Sequence, residues 1–241
     1  QSFIQREACM LRRRLGVVVL LVGSSTSAWS DQKADCQRDT ALPEQRIIAC
    51  SAFIRDNPRA DWAYVTRGSA YRAKGDLDRA IADYTKAFEL NPSAHGYLAR
   101  GNAWRAKREF DRAIADYKKA LELSPKYSDA YLGLGNIYTD KKQYDAALAA
   151  YSKAVELDPK YPVFYYSRGR AHVNLGNFER AIADCSKAIE LDPIYALAYT
   201  GRAEAYEKKG DRERAIADFR KALALGDSRS ADDLRRLGVT P

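Results

Sequence analysis

Residue types that commonly do chemistry are scarce in this chain. Among 241 residues there are two histidines, His95 and His172, and four cysteines, Cys9, Cys36, Cys50 and Cys185. No Cys/His or Ser/His/Asp set has the spacing of a nucleophile motif, and neither a P-loop nor a GxGxxG run is present. The chain is therefore expected to be no enzyme and to need no cofactor. Cys36 and Cys50 stand 14 apart, a separation that suits one residue on each helix of a hairpin. In an oxidising compartment a disulfide is expected there. Two free buried thiols or a metal site are the alternatives, and the lack of a nearby His argues against metal.

Composition narrows the remaining classes. The chain is 46% hydrophobic and 30% charged, which excludes a disordered tail and a polytopic membrane protein. Its formal charge of +8 comes from 40 bases among 32 acids. That is a mixed surface rather than a basic stripe, so nucleic acid is not an expected partner.

The elements that could position a site repeat. Gly68, Gly101, Gly135, Gly169 and Ala203 are spaced 33, 34, 34 and 34. Ala80, Ala113, Ala147, Ala181 and Ala215 share that spacing, as do Tyr84, Tyr117, Tyr151, Cys185 and Phe219. Pro92, Pro125, Pro159 and Pro193 close the units. Each unit reads as two helices. Small residues at positions 8 and 20 let the helices approach, the residue at 24 fills the space beside them, and Pro at 32 ends the second helix. Gly75, Gly176 and Gly210 suit helix C-termini; Asp76, Asn177 and Asp211 suit the N-caps that follow.

These residues resemble the tetratricopeptide repeat family. The resemblance implies an all-α fold, an α-solenoid of helix-turn-helix repeats in a right-handed superhelix. Five units are expected, at 61–93, 94–127, 128–161, 162–195 and 196–229. Residues 31–60 form a degenerate N-terminal hairpin, in which Ile47-Ile48-Ala49-Cys50-Ser51 matches Ile182-Ala183-Asp184-Cys185-Ser186. Residues 230–241 form a C-terminal capping helix, with Ser230-Ala231-Asp232-Asp233 as a capping box and Leu234 and Leu237 docking. Cys185 and His172, at positions 24 and 11, are expected to be core substitutions.

The resemblance also implies a binding face along the first helix of each unit. The candidate ligand-facing residues are Trp62, Arg72, His95, Asn102, Arg105, Asn136, Tyr166 and Arg170. Asn102 and Asn136 would bond an extended peptide backbone, while Arg72 and Arg105 would favour acidic segments. The family's carboxylate clamp needs Lys at position 5 with Asn at 9, and position 5 here is Val65, Leu98, Leu132, Tyr166 or Thr200, so that clamp is absent. The expected function is a protein-interaction scaffold of the cell envelope. The alternative is a glycan-binding, peptidoglycan-binding or enzyme-accessory factor.

Comparing the units with one another reveals a linked set. Arg at 7, Arg at 19 and Asp at 23 recur as Arg67/Arg79/Asp83, Arg100/Arg112/Asp116, Arg168/Arg180/Asp184 and Arg202/Arg214/Asp218. The third unit has Leu134, Ala146 and Ala150 instead. A local ion network is expected, with both arginines on the Asp, each pair contributing about 0–1 kcal/mol if exposed. The family usually has Leu at position 7.

The N-terminus reads as an address. Met10 is followed by Arg12, Arg13 and Arg14, the apolar run Leu15 to Val22, then Ala28-Trp29-Ser30. This is the order of a secretory signal peptide, with cleavage expected after Ser30 or Ala28. Residues 1–9 would be upstream sequence. The mature chain is expected to be exported, periplasmic or secreted, without a stable membrane span.

Overall fold

The computed structural model of the protein describes residues 33–38 and 41–241. The expected signal segment at 1–30 lies outside the described residues. Every regular element among those described is helical. Two compact units divide after Pro92, where the repeat spacing is one residue short.

In the first unit, helical residues 33–37 precede α1 (Pro43–Asp56), α2 (Asp61–Ala73) and α3 (Leu77–Leu90). Its core joins Cys36, Cys50, Phe53, Ile54, Ala63, Tyr64 and Ala87. Cys36 and Cys50 form a disulfide with Cα atoms 4.6 Å apart. This hairpin replaces what a preceding repeat would cover.

The second unit holds α4 (Ala94–Ala106), α5 (Phe110–Leu123), α6 (Ser128–Asp140), α7 (Tyr144–Leu157), α8 (Pro162–Asn174), α9 (Phe178–Leu191), α10 (Ala196–Lys209), α11 (Arg212–Ala224) and α12 (Ser230–Arg236). Hairpin partners pack pairwise, each second helix meets the next first helix, and α4, α6, α8 and α10 touch in succession. The last relation makes a continuous first-helix face.

Close approach within a hairpin requires glycine. A Cβ on Gly101 would stand 2.7 Å from Cε1 of Tyr117, and one on Gly133 would stand 2.6 Å from Cζ of the same ring. Tyr117 is thus gripped by two successive first helices, at positions 8 and 6. Cys185 is buried where Tyr occupies other units, and Gly201 as well as Gly169 borders its sulfur. Burial pushes the Cys185 thiol up to about 12, so it is an apolar filler rather than a nucleophile.

The turn between paired helices is the same in all five repeats. Position 15 is left-handed, with φ of 79°, 64°, 58°, 76° and 90° at Gly75, Arg108, Lys142, Gly176 and Gly210. The amide of the next residue returns to the carbonyl at position 11, as from Asp76 to Tyr71 at 2.9 Å and Gln143 to Tyr138 at 2.8 Å. This closes each first helix by the 6→1 bond of a Schellman motif. Arg108 and Lys142 accept a conformation that suits glycine.

Two capping expectations need correction. Asp76 and Asp211 do accept from backbone amides three residues on, but Asn177 makes no such bond. Ser230 is not an N-cap: α12 is preceded by Arg229, and Ser230 is fully buried with Oγ 3.3 Å from Thr200 Oγ1. Docking has drawn it into the core, beside the buried Leu234. Gly238, with φ of 71°, follows the helix.

The charged triplet is also arranged differently from expectation. Arg at 7 meets Asp at 23 in a two-point fork in all four units, for example Arg168 Nε and Nη2 to Asp184 at 2.8 and 2.7 Å. The pairs are largely buried, so the exposed-pair estimate does not apply. Arg at 19 leaves that Asp alone. Arg79 bonds Asp76 at the helix start and lies over the Tyr71 ring at 4.6 Å. Arg112 lies over Trp104, and Arg214 over Tyr206, each at 4.7 Å. The fork holds the position-23 carboxylate against the facing helix, and Arg79, Arg112 and Arg214 each find the aromatic face at position 11 instead.

Candidate functional site

The second unit's site begins with position 9, which sits above the residue at position 24. Tyr117 reaches from the core and donates its hydroxyl to Asn102 Oδ1 at 2.7 Å. Tyr151 does the same to Asn136 Oδ1 at 2.9 Å. Both rings are buried, and burial holds the Tyr151 phenol protonated by pushing its pKa up to about 12. The two asparagine amides are therefore fixed from below. Their oxygens face the core tyrosines, and their Nδ2 donors remain for the first-helix face.

Sequence reasoning missed these tyrosines as site residues. The signal was present in the repeats: position 9 is Ser69, Asn102 and Asn136 where position 24 is Tyr84, Tyr117 and Tyr151. It becomes Arg170 and Glu204 where position 24 is Cys185 and Phe219, which offer no hydroxyl. In the first unit Ser69 Oγ and Tyr84 OH are 3.2 Å apart.

Charge then alternates along the face. Arg105 Nη1 contacts Asp140 of the next first helix at 3.4 Å, while its buried Nε has no hydrogen-bond partner. Thr139 lies 3.0 Å from the Tyr151 hydroxyl. Arg170 sits 6.0 Å from the Tyr166 ring centre, and Tyr166 packs edge-on against Tyr195 with centroids 5.5 Å apart. Burial raises the Glu204 pKa, opposed by nearby Arg170. Beyond it, Arg236 Nη2 donates to Glu207 and to Asp233, both at 2.9 Å. A recess of about 390 Å³ opens between Glu204, Lys208 and that cluster.

Asn102, Arg105, Asn136, Tyr166 and Arg170 thus share the second unit's first-helix face. His95 lies exposed in the first turn of α4, with Nδ1 3.3 Å from Tyr127 OH. Trp62 and Arg72 belong to the first unit. Trp62 packs on Phe53 with centroids 4.9 Å apart and borders a separate recess with Lys33 and Pro58. Arg72 is in the last turn of α2. Among the described residues no His/Cys/Asp/Glu group could hold a metal ion, and no helix is long and apolar enough to cross a membrane.

Helical hairpins stacked through small residues, with a polar face along the first helices, define an α-solenoid repeat protein. A TPR repeat model matches residues 101–138 and 135–176, and tetratricopeptide repeat models match 62–93 and 166–230. The chain belongs to the tetratricopeptide repeat family, a fold that in general supports protein–protein interaction scaffolds. Among solved structures, MamA is 30% identical over 68% of this chain and 96% of its own, with a TM-score of 0.56. YrrB, described as a TPR protein with an unusual peptide-binding site, is 26% identical over 78% of this chain and 98% of its own, with a TM-score of 0.56. A chain of the APC/C hetero-tetramer Cut9–Hcn1 is 20% identical over 81% of this chain, with a TM-score of 0.72; the present chain spans only 39% of it. No curated protein matches the sequence significantly.

Proposed function

We propose that this chain is a non-enzymatic interaction module that holds an extended peptide on the first-helix face of its second unit. The carrying observation is the anchoring of Asn102 and Asn136 by core tyrosine hydroxyls at 2.7 and 2.9 Å. Each amide is oriented before a ligand arrives, so little side-chain entropy is lost when Nδ2 donates to a peptide carbonyl. The peptide-binding site for which YrrB is described supports the same reading. Arg105 is engaged with Asp140, so the selectivity for acidic segments expected from Arg72 and Arg105 gives way to recognition of the peptide backbone. The glycan alternative draws less support, because Trp62 and Tyr166 spend ring surface on Phe53 and Tyr195.

The test is selection from a random ten-residue peptide library on the folded chain, with affinities of the selected peptides measured by calorimetry. Replacing Asn102 and Asn136 together by Ala removes two hydrogen bonds and should weaken binding about ten-fold or more. An unchanged affinity, with the variant's melting temperature retained, refutes the face assignment.

The module is further proposed to work in the cell envelope. The basic, apolar and small-residue order from Arg12 to Ser30 supports export, and the Cys36–Cys50 pair suits an oxidising compartment. N-terminal sequencing of the protein recovered from cell fractions tests this. A cytosolic protein still carrying Arg12 to Ser30 refutes it.

A further inference from the structure

Resting on the peptide-binding reading, we infer that the segment held on this face carries one acidic and one basic side chain three residues apart. The acid would sit on Arg170 and the base on Glu204. Both residues occupy position 9, on α8 and α10, which pack against each other. The charges on either side of them are satisfied: Arg105 pairs with Asp140, and Arg236 pairs with Glu207 and Asp233. Neither Arg170 nor Glu204 takes part in an ion pair among the described residues.

Arg170 is exposed and Glu204 half-buried. Arg170 lies along Tyr166 at 6.0 Å, which limits where its guanidinium can go. Burial raises the Glu204 pKa, with Asp233 acting in the same direction and Arg170, Lys208 and Arg229 against it. A carboxylate beside Arg170 and a cation beside Glu204 would each add a direct ion pair to the looser attraction that these two residues have for one another.

Spacing sets the register. Packed helices lie about 8–10 Å apart. A peptide held in the polyproline II conformation has three residues per turn and advances about 3.1 Å per residue, so side chains at i and i+3 fall on one face about 9 Å apart and span that gap. A matching peptide carries Glu-x-x-Lys or Lys-x-x-Glu, according to the direction in which it lies.

The experiment measures anisotropy of labelled ten-residue peptides bearing Glu-x-x-Lys, Lys-x-x-Glu, Glu-x-x-Glu or Lys-x-x-Lys within one backbone selected from the library. The wild-type chain should bind its better mixed-charge peptide about five-fold more tightly than either like-charged one. Glu204→Arg should shift the preference to Glu-x-x-Glu, and Arg170→Glu to Lys-x-x-Lys. The neutral variants, checked for unchanged melting, should each lose discrimination at one position while still binding: Arg170→Gln should bind Lys-x-x-Lys as well as the better mixed peptide, and Glu204→Gln should bind Glu-x-x-Glu as well as it. If all variants rank the four peptides alike, this inference fails and the peptide-binding reading stands. If the library selects no peptide at all, both fail.

Discussion

The Arg202–Asp218 fork permits a test in which the protein supplies its own control. Arg202 Nε and Nη2 donate to Asp218 at 2.7 and 2.9 Å, and Nη1 donates to Ser186 at 3.0 Å. The side chains are 22% and 10% exposed. Arg202→Leu would strand a nearly buried carboxylate. Breaking a fully buried pair costs about 3–5 kcal/mol, and the residual access of water to Arg202 lowers the expectation to about 2–4 kcal/mol. The third unit shows how to remove the pair without stranding a charge: Leu134 and Ala150 stand at the same two positions, 8% and 9% exposed. The double variant Arg202→Leu/Asp218→Ala should therefore lie within about 1 kcal/mol of wild type. Solenoids unfold locally, so the readout is native-state hydrogen exchange of the α10 and α11 amides rather than one global melt. A single variant that loses less than about 1 kcal/mol, or a double variant that loses as much as the single, refutes the account.

Three further outcomes are expected. Reducing Cys36–Cys50, or replacing both by Ser, frees a loop closed over a separation of 14 and should cost about 3 kcal/mol; exchange should rise in α1 and leave α8 to α11 unchanged. Lys142→Gly, at φ of 58°, should raise stability by about 0.5 kcal/mol, since the relieved left-handed strain slightly exceeds the entropy that glycine adds to the unfolded chain; a lower thermal midpoint would contradict this. His172 is buried, and burial lowers its pKa, with Asp184 opposing and Arg168 and Arg180 reinforcing. The unfolded chain takes that proton near pH 6.5 and the folded chain only at lower pH. The His172 contribution is thus full above about pH 6.5 and is lost as pH falls below it, and denaturation at pH 7 and pH 5 should show His172→Tyr losing less stability across that interval.

The period, the helix pairs and the core positions were legible because every unit repeats the same packing problem. Gly at 8, Ala at 20 and Pro at 32 each have one physical reason, stated five times with few exceptions. The triplet was legible only in part. Its shared absence from the third unit marked a linked set, yet covariation does not say which partner each arginine chooses. Asp at 23 is held in a bidentate fork by Arg at 7 from the facing helix, while Arg79, Arg112 and Arg214 lie over the aromatic at position 11. Arg108 and Lys142 were illegible for the opposite reason, because a left-handed turn with a non-glycine residue has no side-chain signature. Ser230 was misplaced because a capping-box pattern describes a free helix end, and this one is docked.

The same contrast governs where function resides. A position that repeats is one the stacking of hairpins demands, and its identity says little about a ligand. Position 9 is different, because it changes in step with position 24. Where the core aromatic carries a hydroxyl, position 9 answers with Ser or Asn, held in place from below. Where the core residue is Cys185 or Phe219, that tether is gone and the position carries Arg170 or Glu204, free to meet charge from outside. The change from amide to charge along one face therefore follows from a substitution inside the core. Exchanging Cys185 for Tyr together with Arg170 for Asn should convert the fourth unit's face from reading charge to bonding backbone.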